Sequence, residues 1–314
     1  MPRYEPIDIS KVETYSIKTR QNKVNVNEHF AAPVKAKASF SDFVERLPNV
    51  LGADSLRHVV EAVVTAHRAE RPVVAAIGGH VVKCGLQPVL KSLIEAGVVT
   101  AVAMNGSAAI HDYEVSLVGA TSEDVGAVLH SGDFGFSEET GGGINRALQA
   151  AQTSDIGFGA AVGRSIIDSG HPFTEYSLLA TCAEKEIPCT VHVAIGTDII
   201  HQHPAMDGAV TGDMSYRDFR LLTAVVADLS GGVWLNFGSA VIMPEVFLKA
   251  LSIAQNLGHH VDNFTTANFD MIRHYRTQQN VVSRPVSGQG QGYNLIGHHE
   301  INIPLFAQAV IESI

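Results

Sequence analysis

Fifteen histidines in 314 residues are the first chemical signal in this chain. Two runs set imidazole beside carboxylate, His111-Asp112-Tyr113-Glu114 and His298-His299-Glu300, and His201-Gln202-His203 spaces two rings by two. Imidazole titrates near neutral pH, so such runs suit general acid–base chemistry. They also suit a divalent metal, but no HExxH or other fixed ligand spacing accompanies them, and no metal ligands are assigned. Asp198, Asp207, Asp213 and Glu245 fall in or near the same loops as these histidines. Carboxylates gathered in a cleft are what a small cationic amine needs. Helix capping accounts for part of the set, Asp213 before a helix expected at Tyr216 being one case. For any single histidine a hydrogen-bonded structural role is the plainer reading.

The elements that must position these groups alternate along the chain. Leu56, Val59, Val60, Val63 and Val64 recur at helical spacing, with Asp54 or Ser55 as the N-cap. The run 72–77 is a short apolar strand that ends in Gly78-Gly79. Helical period returns from Leu86 to Ile94, and Gly97 stops it. Further strands are expected over 98–104, 190–195, 232–237, 261–267 and 293–296, and further helices over 175–185, 216–229, 244–256 and 304–314. Strands alternating with helices of ten or more residues imply right-handed crossovers. The expected fold is therefore α/β and Rossmann-like: a doubly wound, mostly parallel sheet with helices on both faces. Residues 1–50 read as an N-terminal extension and 51–314 as a single α/β domain. A long glycine-rich insert, Ser131 to Gly143, is expected to wall a site or to form a surface excursion.

Ligands of open α/β sheets bind beyond the carboxyl ends of the strands. The segments expected there are Gly78-Gly79-His80, Asn105-Gly106-Ser107, Gly196-Thr197-Asp198, Gly238-Ser239 and Thr265-Thr266-Ala267-Asn268. All are small, polar or glycine, so backbone can approach a phosphate or ribose. Neither G-x-G-x-x-G nor a P-loop is present. The net charge of −10 argues against nucleic acid or an anionic membrane as partner, because counterion release needs a basic face. Three cysteines without a CxxC argue against a disulfide framework. No apolar run reaches the roughly 18 residues of a membrane span, and residues 1–37 carry no h-region. A cytoplasmic protein is expected.

Taken in order, these segments resemble deoxyhypusine synthase. Val74–Gly85 and Ala101–Asp112 are similar to that family's first two strand–loop–helix units, and Ile187–Asp198 is similar to the third. Trp234–Glu245 resembles its glycine-rich strand and helix, Phe264–Asp270 its threonine–alanine strand end, and Gly297–Phe306 its closing strand and helix. The likeness spans roughly residues 70–314. It implies NAD as cofactor, a homotetramer, and a polyamine whose aminobutyl group passes through an imine on an active-site lysine to a protein lysine. It also implies that Gly78, Gly79, Asn105, Gly106, Ser107, Thr265, Thr266 and Ala267 line the cofactor.

Three departures fall at the reacting centre. No lysine follows Lys249, and Asn294 stands where the family keeps its imine-forming lysine. An asparagine amide cannot form that imine. Pro244-Glu245 replaces paired histidines, and Arg273-His-Tyr-Arg276 replaces an acidic segment. Lys83 is the one lysine near the crevice. The reading is an NAD-dependent enzyme of this type that acts on an amine without a covalent lysine intermediate. His111, Asp112 and His298 would manage protons, and Asp198 and Glu245 would hold the cationic substrate. The alternatives are a metal-assisted hydrolase or lyase on the same fold, and a non-catalytic ligand-binding paralogue.

Overall fold

The computed structural model describes residues 3–314. They form a small N-terminal unit that ends at Val50 and a large unit, Leu51–Ile314. The small unit contains one short α-helix, Phe40–Glu45, whose capping box joins the Ser39 and Asp42 side chains to each other's backbone N–H. Many of its apolar side chains are exposed, Ile7 and Val34 among them.

The large unit is built on six strands: β1 (Val73–Ile77), β2 (Ala101–Asn105), β3 (Cys189–His192), β4 (Val233–Phe237), β5 (Thr265–Asp270) and β6 (Gln291–Ile296). They hydrogen-bond in the order β3-β2-β1-β4-β5-β6. Every pairing is parallel. This is the doubly wound order, with the strand sequence reversing between β1 and β4. Helices cover both faces. On one, Phe247 of helix Ile242–Asn256 stacks on Trp234 with ring centroids 4.1 Å apart. On the other, Phe306 of helix His299–Ile311 packs against Phe237 and Phe269.

Several boundaries differ from those the sequence suggests, each for a local reason. The first long helix spans Leu51–Arg68, so Asp54 lies inside its first turn and pairs with His58 rather than capping. The helix expected at Tyr216 begins at Gly208. Asp207 caps it, and Asp213 instead pairs with Arg217 one turn on. The last helix starts at His299 and carries Pro304 inside it. The glycine-rich insert is ordered: Glu138–Gly142 is a wide π turn that runs into helix Gly143–Ala151, followed by helix Phe158–Asp168. Its glycines pack tightly, since a Cβ on Gly143 would strike the Tyr113 ring.

β5 is the most consequential shift. Val261 and Phe264, read as strand, are buried loop residues, and the strand runs on to Asp270. Thr266 and Asn268 are tolerated inside because their side chains find hydrogen-bond partners. The Thr266 hydroxyl donates to the Val281 carbonyl at 2.7 Å. Asn236 donates to Asn268 at 2.8 Å, Asn268 to Asn294 at 3.2 Å, and Asn294 to Gln278 at 2.8 Å. The result is a ladder of amides across β4, β5 and β6.

Candidate functional site

Helix Gly106–Val118 starts where β2 ends, because the Asn105 side chain accepts the Ala108 N–H at 2.9 Å. Ser107, His111 and Glu114 follow at i, i+4 and i+7, one face of a helix. That face borders a hollow of about 450 Å³, whose other walls include Lys83, Glu123, Phe134, Ser137 and Asp198. The first half of the glycine-rich insert and the loop after β3 therefore both border this hollow. A Cβ on Gly106 would overlap the Asp198 carboxylate, so glycine there is what lets Asp198 lie against the helix start.

His111 and Glu114 are both well covered, with side chains 13% and 18% exposed. His111 Nδ1 lies 2.7 Å from the Thr121 hydroxyl, which donates a short hydrogen bond to Glu114. Thr140 donates to the other Glu114 oxygen at 3.1 Å. Burial would raise the Glu114 carboxyl, yet the nearby His111 imidazole and the bonds from Thr121 and Thr140 outweigh it and hold it below its ordinary range. Asp198 goes the other way. Burial pushes it up, only partly offset by His201, Thr197 and His111.

The other expected site residues lie elsewhere. Asp112, next to His111, points into the core and is 0% exposed. Its carboxylate accepts from the Ser177 hydroxyl at 2.6 Å and from the N–H groups of Leu178 and Leu179, so it anchors the start of helix Leu178–Glu184. Glu245 is held by Lys249, Arg276 and Asn280 on helix Ile242–Asn256. His298 is 65% exposed at the N-cap of the last helix and lies 3.7 Å from Glu300. His203 pairs with Glu138, and His201 accepts backbone N–H bonds from Gly196 and Asp198.

Of the residues expected around a cofactor, Gly78 and Gly79 follow β1, and Asn105, Gly106 and Ser107 follow β2, at the carboxyl edge. Thr265, Thr266 and Ala267 do not. They form the amino half of β5, and Thr266 and Ala267 are fully buried. At the switch point Gly78 and Gly238 touch, since a Cβ on Gly78 would strike the Gly238 carbonyl. Beside them two buried atoms have no hydrogen-bond partner, Asp270 Oδ2 and His299 Nδ1. Buried polar atoms of this kind are ones a bound polar group would satisfy, so these residues fit a nucleotide at the switch point. Among the described residues no three His, Cys, Asp or Glu side chains converge as metal ligands. Nor is any helix among them long and apolar enough to cross a membrane.

Thr121, Thr140 and Glu123 were not singled out from sequence. The His111–Glu114 spacing was the available signal, because it directs both side chains toward whatever follows the helix end.

No family model matches the sequence, and no curated protein matches it. Solved structures do resemble it in fold. AgrE in a ternary complex with ornithine and NAD+ superposes with a TM-score of 0.52 at 14% identity, covering 85% of this chain and 34% of that one. This chain thus spans about a third of that protein's length. An LOR/SDH-type protein from Methanococcus maripaludis S2 gives 0.52 at 15% identity over 89% of this chain and 72% of the other. A protein described as a deoxyhypusine synthase, from Entamoeba histolytica, gives 0.51 at 10% identity over 88% and 94%. At these identities the likeness establishes the α/β architecture.

Proposed function

We propose that this chain is an NAD-dependent enzyme that binds a small cationic amine in the hollow beside His111. One observation carries the reading: three carboxylates, Glu114, Glu123 and Asp198, line that hollow against a single lysine, Lys83. A site so biased attracts a diamine or polyamine and repels anions. The fold neighbour that binds both ornithine and NAD+ supports pairing an amine with this cofactor. Bound NAD would accept a hydride from the amine-bearing carbon. His299 and Asp270, with their unpartnered polar atoms, would help to hold it.

His111 would take the proton that a substrate ammonium must lose, while Asp198 and Glu123 hold the charge at its far end. With Asn294 in the amide ladder and no lysine after Lys249, the oxidised amine would pass to water or a free amine, or to a protein lysine, without a lysine-bound imine. This is the deoxyhypusine synthase type of reaction with its covalent step removed. The test is direct: purified protein is mixed with NAD and a panel of linear polyamines while nicotinamide absorbance is followed, and amine binding is measured by calorimetry. Glu114→Gln and Asp198→Asn should each weaken amine binding about tenfold, or roughly 1.4 kcal/mol. The absence of both NAD reduction and binding of any polyamine would sink the proposal.

A further inference from the structure

The hydroxyl between His111 and Glu114 decides where the imidazole proton sits. Thr121 Oγ1 is hydrogen-bonded to Glu114 Oε2, and one of the two oxygens must supply the proton. A carboxylate has none to offer, so the hydroxyl donates its single hydrogen there. The same oxygen lies 2.7 Å from His111 Nδ1, and having spent its hydrogen it can only accept. Nδ1 must then carry the ring proton in the neutral imidazole. Direct pairing does not compete, because Glu114 Oε2 stands 3.7 Å from Nδ1.

The chain is built to bring Thr121 there. Gly119 ends helix Gly106–Val118 at φ 68, a left-handed turn, and its N–H returns to the Val115 carbonyl. Two residues later the threonine lies over the His111–Glu114 face. Thr140, arriving from the π turn of the insert, holds the opposite carboxylate oxygen at 3.1 Å. The His111, Thr121 and Thr140 contacts outweigh burial and leave Glu114 below its ordinary range, hence ionised and accepting.

We propose that Thr121 and Glu114 are positioning residues that hold neutral His111 as the Nδ1–H tautomer, leaving Nε2 as the proton acceptor of the hollow. The charged groups lining that hollow with it are Lys83, Glu114, Glu123 and Asp198. The catalytic use of Nε2 rests on the amine reading above; the tautomer itself does not.

Histidine-labelled full-length protein, with the His111 signals assigned by loss in His111→Gln, separates the two. Two-bond proton–nitrogen correlations above the histidine titration should show a protonated Nδ1 and a bare Nε2. Thr121→Val removes the relay and should shift His111 toward the Nε2–H form. Thr121→Ser should restore the original pattern, which a merely structural threonine would not require. Glu114→Gln frees the hydroxyl to donate to the ring and should shift the tautomer as Thr121→Val does. If the amine is turned over, Thr121→Val should lower that rate by roughly 10- to 100-fold, no more than the lower end of the roughly 10²–10⁴ that a positioned proton transfer contributes. An Nε2–H pattern in the unaltered protein, or no change in Thr121→Val, overturns the inference. The expected tautomers with no amine bound by the unaltered protein would instead remove the amine reading and leave the relay standing.

Discussion

The two histidine–carboxylate runs in this chain have nearly the same composition and opposite fates. His111 and Glu114 sit three apart in mid-helix, so both project from one face into a walled hollow and are tied by a threonine from the next segment. In the second run, His298 and Glu300 straddle the first turn of the last helix, where their contact is more than half exposed. His299 turns inward between them and comes against Gly238 and His80. Spacing on a helix, and what covers that helix, separate a poised pair from a solvated one.

The same contrast exists within the first run. His111 faces the hollow and Asp112 faces the core, about 100° away around the helix. Removing Asp112 leaves the N–H groups of Leu178 and Leu179 and the Ser177 hydroxyl without their acceptor. Asp112→Ala should therefore cost about 3–5 kcal/mol, as loss of a buried charged acceptor does. His111→Ala forfeits one partly buried bond, about 1 kcal/mol. Urea midpoints of both variants check this, and equal losses would erase the division between core and pocket faces.

Acidity extends the comparison from sites to pH. Burial pushes Asp112 up to about 6 against the bonds from Ser177, Leu178 and Leu179. It pushes Asp218 up to about 7 against backbone N–H bonds from Val191, Gly159 and Phe158. An unfolded aspartate titrates near about 3.9, so between about pH 4 and 7 the folded state binds more protons than the unfolded one. The stabilising contribution of these two groups is thus fully present below about pH 4 and is lost as pH rises through the folded values, by several kcal/mol in all. Glu114 has the opposite sign, being depressed when folded, and its contribution is lost on acidification. Denaturation across this range should show a shallower decline for Asp112→Asn than for the unaltered chain. Identical slopes would mean that Asp112 titrates as if exposed.

How far the sequence could be read depended on what satisfies each polar group. β1 and β4 were legible to within one residue, because a buried run, wholly apolar in β1 and apolar but for Asn236 in β4, leads straight into a glycine turn. β5 was not, because Thr266 and Asn268 look like a strand end until their partners at Val281, Asn236 and Asn294 are known. That misreading carried Thr265, Thr266 and Ala267 to the wrong edge of the sheet. It also bears on Asn294, which pairs in register with Asn268 on β6. Four strand spacings of about 4.8 Å separate β6 from β2, so Asn294 lies roughly 19 Å from the strand that leads to His111. Ser107 was legible from the small, polar turn after a strand, and His111 from its imidazole–carboxylate run. Thr121 was not, because only the turn at Gly119 brings it back over the helix.

The smallest expected effect bears most sharply on the opening contrast. His298 is 65% exposed, and its partner Glu300 is 52% exposed. Exposed pairs of this kind contribute between about 0 and 1 kcal/mol, because water screens them and two side chains must be ordered to form them. His298→Ala should therefore move the urea midpoint by no more than about 0.5 kcal/mol equivalent and leave amine affinity unchanged. Calorimetry with the amine that binds the unaltered protein is the measurement. A tenfold loss of affinity would mean that the second run reaches the bound amine, so that mid-helix spacing and cover are not what make a histidine–carboxylate run functional here.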